Sequence, residues 1–298
     1  MALRIGDLAQ SQLLSRTLGG VQARLREAQI AVGSGKAVQT FDKIADRAGE
    51  LLRVRDARTV RSTLADQNDQ LGRELQMMDG ALGAVVDVAD RARVALVQRL
   101  DGNLGDDVPL DSQIDALLGD LAALNTRFNG RYLFGGSRTD QAPVSLPDPP
   151  PSVADPSLYY RGDQVRLSVR ADLGVELDYG VTADAAPFAQ LIGALGQARA
   201  AHLADDRLGI ATAAAAVEAA LGGVAGLRAG VGITAERLES VTEGQRSAVL
   251  YLDEVTSSIE DVDLAAVLTR IASDQAGLEA AYAVTGRLAS LSLADYLR

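Results

Sequence analysis

Apolar residues recur in this chain at alternating intervals of four and three, and that rhythm restricts its fold more than any other feature. Leu14, Leu18, Val21, Leu25, Ala28 and Val32 carry it first. A longer run follows in Leu71, Leu75, Met78, Leu82, Val85, Ala89, Ala92 and Leu96. A repeat of about 3.5 residues draws one apolar stripe along a helix, and the stripe must be covered by a second helix. Backwards, the long run meets Asn68, Leu64, Arg61, Ala57 and Val54, so its seam is partly polar there. One helix from about Ala45 to Leu100 would reach roughly 80 Å at about 1.5 Å per residue.

A third run is the cleanest: Val231, Thr234, Leu238, Val241, Gln245, Ala248, Leu252, Val255, Ile259 and Val262, with only Thr234 and Gln245 polar. Shorter helical segments are expected at Leu110–Asn125, 188–204 and 207–225. A last helix carries Leu264, Leu268, Ile271, Leu278, Tyr282, Leu288, Leu291 and Leu293. Breakers separate these pieces: Gly33-Ser34-Gly35, then Gly102, Gly105 and Pro109.

The middle of the chain is different. Six of its eight prolines lie between Pro143 and Pro156, which no helix tolerates. Leu158–Tyr160, Val165–Val169 and Val175–Tyr179 read as short strands, the first two split by a turn at Arg161-Gly162-Asp163. The expected fold is therefore mainly α. It is a long antiparallel coiled-coil-like helical rod with the N- and C-termini together, plus a small β-rich insertion at the tip. Its parts are a terminal helical domain (1–40 and 264–298), a long-helix rod domain (41–137 and 185–263) and the insertion (138–184). The insertion is expected to be dispensable for the rod.

Composition narrows the function. The 298 residues hold 40 Asp and Glu against 29 Lys and Arg, a net charge of −11. So acidic a chain is a poor partner for a phosphate backbone, so no nucleic acid is expected. With no Cys and one His, His202, thiolate chemistry is excluded and metal and acid–base sites lose their usual ligands. No catalytic, cofactor-binding or metal-binding residue is expected, and no cofactor. No apolar run approaches a membrane span, so no membrane insertion is expected.

The tempting motifs have plain explanations. Gly33-Ser34-Gly35-Lys36 lacks the distal Gly and following Ser or Thr of a phosphate loop, and fits a helix end. Asp261 and Asp263 fit helix caps better than a metal site, with Ser258-Ile259-Glu260-Asp261 in the form of a capping box. His202 is expected exposed and without a partner. Asp101, Asp106 and Asp107 fit a solvated loop.

Two sets of apolar positions are candidate functional residues. The rod core is Leu71, Leu75, Met78, Leu82, Leu238, Val241, Leu252, Val255 and Ile259. The subunit-assembly seam is Leu14, Leu18, Val21, Leu25, Leu264, Leu268, Ile271, Leu278, Leu291 and Leu293. Burying one such side chain is worth about 1.5–3 kcal/mol. Two terminal helices alone would leave their apolar faces wet, which points to burial against other subunits.

Several segments resemble the flagellin superfamily and, within it, the hook–filament junction branch. The first is Leu25 to Lys36, Leu-x6-Val-Gly-Ser-Gly-Lys. The central one is Asn125-Thr126-Arg127-Phe128-Asn129-Gly130-Arg131-Tyr132-Leu133-Phe134-Gly135-Gly136-Ser137, followed by Tyr160-Arg161-Gly162-Asp163. Near the C-terminus come Ile259-Glu260-Asp261-Val262-Asp263-Leu264-Ala265, Ala280-Ala281-Tyr282, and Leu291-Ser292-Leu293-Ala294-Asp295-Tyr296-Leu297. The resemblance implies a non-enzymatic structural protein of the bacterial flagellum, exported to the cell exterior without a cleaved signal peptide. It implies assembly with other axial proteins (a hook-side junction protein, flagellin and copies of itself) and a cytosolic export chaperone. Two alternatives remain: a short flagellin building the filament itself, and a cytosolic coiled-coil scaffold.

Overall fold

The computed structural model describes residues 2–36, 45–102 and 109–296. Its helices are α1 (Ala2–Ser34), α2 (Ala45–Asp101), α3 (Leu110–Asp120), α4 (Ala186–Leu203), α5 (Arg207–Glu260) and α6 (Leu264–Tyr296). The strands are β1 (Arg127–Phe128), β2 (Arg131–Tyr132), β3 (Ser168–Asp172) and β4 (Val175–Asp178), in two antiparallel pairs, β1–β2 and β3–β4. The long helix expected from Ala45 is α2. Of the helical segments expected after Pro187, 188–204 is α4, but 207–225 is not a separate helix: residues 207–260 form one helix that runs on into the heptads from Val231. The reason lies in the spacing. Ile210, Ala213, Val217, Ala220, Val224 and Leu227 continue the four-three rhythm backwards from Val231 without a skip. The intervening glycines cost propensity but do not break a seam that is covered on one face.

The chain divides into two compact units, residues 1–59 with 249–298, and residues 60–248. In the central unit α2 and α5 run antiparallel. Arg228 pairs with Asp79 at 2.8 Å and Arg246 with Asp69 at 2.6 Å. The seam side chains Leu75, Met78, Leu82, Val85, Ala89, Ala92 and Leu96 are buried, facing a core that includes Ala213, Val217, Ala220, Val224, Val231 and Leu238. By length and composition α5 is apolar enough to cross a bilayer, with a window of mean hydropathy 1.6. Its Ala213, Val217 and Ala220 are fully buried in the protein core.

The proline-rich and β segments belong to that same core. Phe134, Tyr159, Leu177 and Ala183 are buried in one cluster with the α2, α3, α4 and α5 side chains. The Tyr159 hydroxyl donates to the Ala183 carbonyl at 2.9 Å. Burial, helped by the Asp184 carboxylate, pushes that phenol far above its ordinary pKa. Helix α4 meets the proline run through Gly193 and Gly196, where any Cβ would collide with the backbone of Val153 or Pro151. The β3–β4 pair lies along the flank of α2 and α5, at the level of Asn68 and Gln245. The far ends of the helices are closed instead by Arg207 on the Leu100 carbonyl and Arg99 on His202 Nδ1 at 3.3 Å.

Local readings need four corrections. Leu158–Tyr160 is not a strand; Pro156–Leu158 make a single 3-10 turn, and Tyr160 only bridges to Val144. The β1–β2 hairpin, turning at Asn129-Gly130 with Asn129 at φ 49°, was missed among the helical residues around it. His202 has a partner, Arg99. Arg161-Gly162-Asp163 does not turn a hairpin. Its Asp163 carboxylate accepts from the Ser137 and Val165 amides at 2.9 and 3.0 Å, closing the loop after Phe134. The Ser137 hydroxyl, and after it the Ser137 amide, hold that carboxyl below its usual range. Asp101 ends α2, and Asp106 and Asp107 lie outside the described residues.

Candidate assembly interface

The terminal unit is built around the ends of α1 and α5. Helix α1 stops at Ser34 because Gly35 takes φ 72°, a left-handed conformation that side chains resist. This is the helix end expected in place of a phosphate loop. The Gly35 carbonyl then accepts the Val262 amide at 3.1 Å, and Lys36 bridges to Asp261. Two residues on, Asp263 caps α6 by accepting the Ala266 amide at 3.0 Å. The Ser258 capping box does not form. Helix α5 continues through Glu260, so the Ser258 hydroxyl donates back to the Val255 carbonyl at 2.8 Å. Asp261 instead accepts from the Ser257 hydroxyl at 2.6 Å.

Glu260 is the electrostatic centre of this unit. Its side chain is 5% exposed and receives Lys36, from the end of α1, and Arg55, from α2. Burial pushes its carboxyl up, but the two cations outweigh that and hold it below its ordinary value. Arg58 of α2 grips Asp253 of α5 with both nitrogens of a fork. This raises the guanidinium pKa further, chiefly through the hydrogen bond.

From this clasp α1 and α6 run antiparallel, paired by Arg24–Asp274 at 3.2 Å and by Gln22 donating to the Tyr282 hydroxyl at 2.9 Å. Their mutual burial is shallow. Among the described side chains of α1 and α6 only Ala28 is buried. Leu18, Val21, Leu25, Ile271 and Leu278 are half-buried, whereas Leu264 and Leu268 remain 48% and 54% exposed. The side chains of Leu14, Leu291 and Leu293 lie outside the described residues. The inner stripe of α6 runs through Val267, Ile271, Asp274, Leu278 and Ala281. Leu264, Leu268 and Tyr282 form a second stripe on its flank, open to solvent.

The core positions fare differently. Leu71, Leu75, Met78, Leu82 and Leu238 are buried in the central unit, with Val241 half-buried. In the terminal unit Ile259 is buried and Leu252 and Val255 are half-buried. Sequence reasoning missed Ile210 to Val224, whose four-three spacing was already present, hidden by Ala and Gly. It also missed Phe134 and Tyr159, which no periodicity marks. Among the described residues no three His, Asp or Glu are grouped so as to hold a metal ion.

Residues 5–139 match the family described as the bacterial flagellin N-terminal helical region, and residues 214–297 the one described as the C-terminal helical region. The flagellar hook-associated protein 3 of Escherichia coli is 25% identical over 288 residues, covering 89% of this chain and 90% of that protein. A solved structure from Vibrio parahaemolyticus described as a flagellar hook-associated protein is similar at TM-score 0.60 and 16% identity, over 74% of this chain and all of that one. Bacillus cereus FlgL is similar at TM-score 0.52 and 19% identity, over 63% of this chain and 96% of that one. Both family regions are matched in order, one in each of the segments that α1 and α6 bring together, and the chain belongs to the flagellin family.

Proposed function

We propose that this chain is a structural component of the bacterial flagellum, the adaptor between hook and filament, and that it assembles through its terminal helices. The similarity to hook-associated protein 3 along nearly the whole of both chains supports the junction over the filament itself. The observation that carries the assembly surface is the shallow burial of α1 against α6. Leu18, Val21, Leu25, Ile271 and Leu278 are half-covered by each other, and Leu264 and Leu268 are left open. Partners able to finish that burial are other axial proteins, copies of this chain among them.

Charge distribution fits the same reading. Residues 1–59 and 249–298 hold 13 basic and 14 acidic side chains, whereas residues 60–248 hold 16 and 26. Close packing of identical surfaces costs least where net charge is near zero, and a strongly acidic part stays solvated. In this proposal segments 1–40 and 264–298 form an inner tubular layer. Segments 41–137 and 185–263 form the layer outside it, with 138–184 attached there. Export without a cleaved signal, and a chaperone covering the C-terminal seam beforehand, complete the reading.

Deleting the gene tests the function. Cells should keep hooks, lose attached filaments and shed flagellin monomer, and the chain lacking 264–298 should fail to restore them. Labelled chain along whole filaments would make it a flagellin, and retention in the cell lysate would make it a scaffold.

A further inference from the structure

Three local irregularities meet at one point of the central unit. The α2 seam turns polar at Asn68, and the α5 seam at Gln245. Strand β3 carries a bulge between Arg170 and Asp172, so Ala171 has no partner across the ladder. Each alone is a defect: a buried amide in an apolar seam, or an unpaired backbone carbonyl. Together they cancel. The Ala171 carbonyl accepts from Asn68 Nδ2 at 2.9 Å and from Gln245 Nε2 at 2.7 Å, and Asn68 Nδ2 also donates to Gln245 Oε1 at 3.1 Å. All three residues are buried.

Simple core packing does not explain this arrangement. Leucine at both positions would complete an apolar seam and would not leave Asn68 Oδ1 buried without a hydrogen-bond partner. The hairpin's other holds are four apolar side chains and one loose ion pair: Ala171 and Leu177 are buried, Val169 and Val175 are half-buried against the same core, and the nearby Arg61–Asp172 pair is long, at 3.9 Å. We infer that the Asn68–Gln245–Ala171 knot is a latch that seats the β3–β4 hairpin on the paired helices, and that the hairpin can leave without those helices unfolding. A β-bulge turns the carbonyl out of its own ladder and into the seam. The two amides grip it from different helices, so one atom joins segments separated by 103 and 74 residues.

Trypsin is a direct probe, because Arg170 is exposed but sits in the latched strand. In the full chain, Asn68→Leu with Gln245→Leu should speed cleavage after Arg170 on the order of tenfold, as expected for loss of both bonds to one carbonyl. Helical circular dichroism should be unchanged and the helix unfolding midpoint equal or higher. Thr242→Val, a buried hydroxyl bonded within α5 to Leu238, is the control and should leave cleavage at the wild-type rate. If the double variant fails to unfold cooperatively, Gln245→Met carries the same test by removing the shorter donor alone. Cleavage within about twofold of wild type overturns the latch. So does faster cleavage that tracks loss of helicity in both variants, since the hairpin would then be inseparable from the helices.

Discussion

Two carboxyls of this protein answer acid in opposite ways, and each does so for a local reason. Glu260 is held ionised by Lys36 and Arg55, so its folded pKa lies below the ordinary 4.5. A depressed folded value adds stability that is fully present above the unfolded pKa and is lost as pH falls through the folded one. The clasp should therefore weaken below about pH 4.5. Glu260→Gln should cost about 1–2 kcal/mol at neutral pH, discounted because both cations are about half exposed. Denaturant titration at pH 7 and pH 4 checks this; the variant should lose little between the two, and wild type more. Glu74 behaves in reverse. Burial raises its carboxyl, with Arg131 opposing only in part. A raised folded value means that ionisation costs stability above the unfolded pKa. Glu74→Gln should thus raise the thermal midpoint at pH 7 by about 1–3 °C, an advantage that vanishes in acid. A lower midpoint for Glu74→Gln would mean that the charge has a favourable partner.

At the scale of elements, seam position outranks composition. Leu82 is fully buried and Met77, five residues earlier on the same helix, is 44% exposed. Leu82→Ala should cost about 3 kcal/mol and Met77→Ala under about 0.5 kcal/mol, measured by urea unfolding. Equal losses would mean that the α2 register is misassigned. The β-rich segment is the larger test. Linear order made it an insertion that could be removed, but Tyr159, Ala171, Leu177 and Ala183 are buried in the helical core. Replacing 140–183 with a Gly/Ser linker should abolish cooperative unfolding of the central unit, because it removes the buried Tyr159 and Ala183 along with the hairpin and so opens a wall of that core. Retention of a sharp transition would restore the original expectation.

For the molecule as a whole, stability should be uneven. The α2 and α5 seams of the central unit are closed, and the α1–α6 pair is shallow. Hydrogen exchange on the isolated chain should show strong protection across Leu71–Leu96 and weak protection across residues 12–34 and 264–287. Comparable protection of both would mean that the terminal pair needs no partner. A chain trimmed to residues 60–248 should remain folded and monomeric in sedimentation at concentrations where the full chain associates. Association of the trimmed chain would move the interface out of the terminal unit.

Heptad spacing alone determined that α2, the main part of α5 and the terminal segments are helices, and which residues of α2 turn towards the core of the central unit. It could do so because a 3.5-residue stripe is a local property, written in residues a turn apart. The family motifs were legible for the same reason, each being a short run. The continuity of α5 was also written there, in Ile210 to Val224, but small side chains hid the stripe. The rest was decided only in three dimensions. That Tyr159 is core, that Asp163 serves Ser137, that Gly196 makes room for Pro151, and that Ala171 answers two polar breaks in the seam depend on residues tens to hundreds of positions apart. No periodicity couples such residues; only the closing of the core brings each buried polar group to the partner that satisfies it.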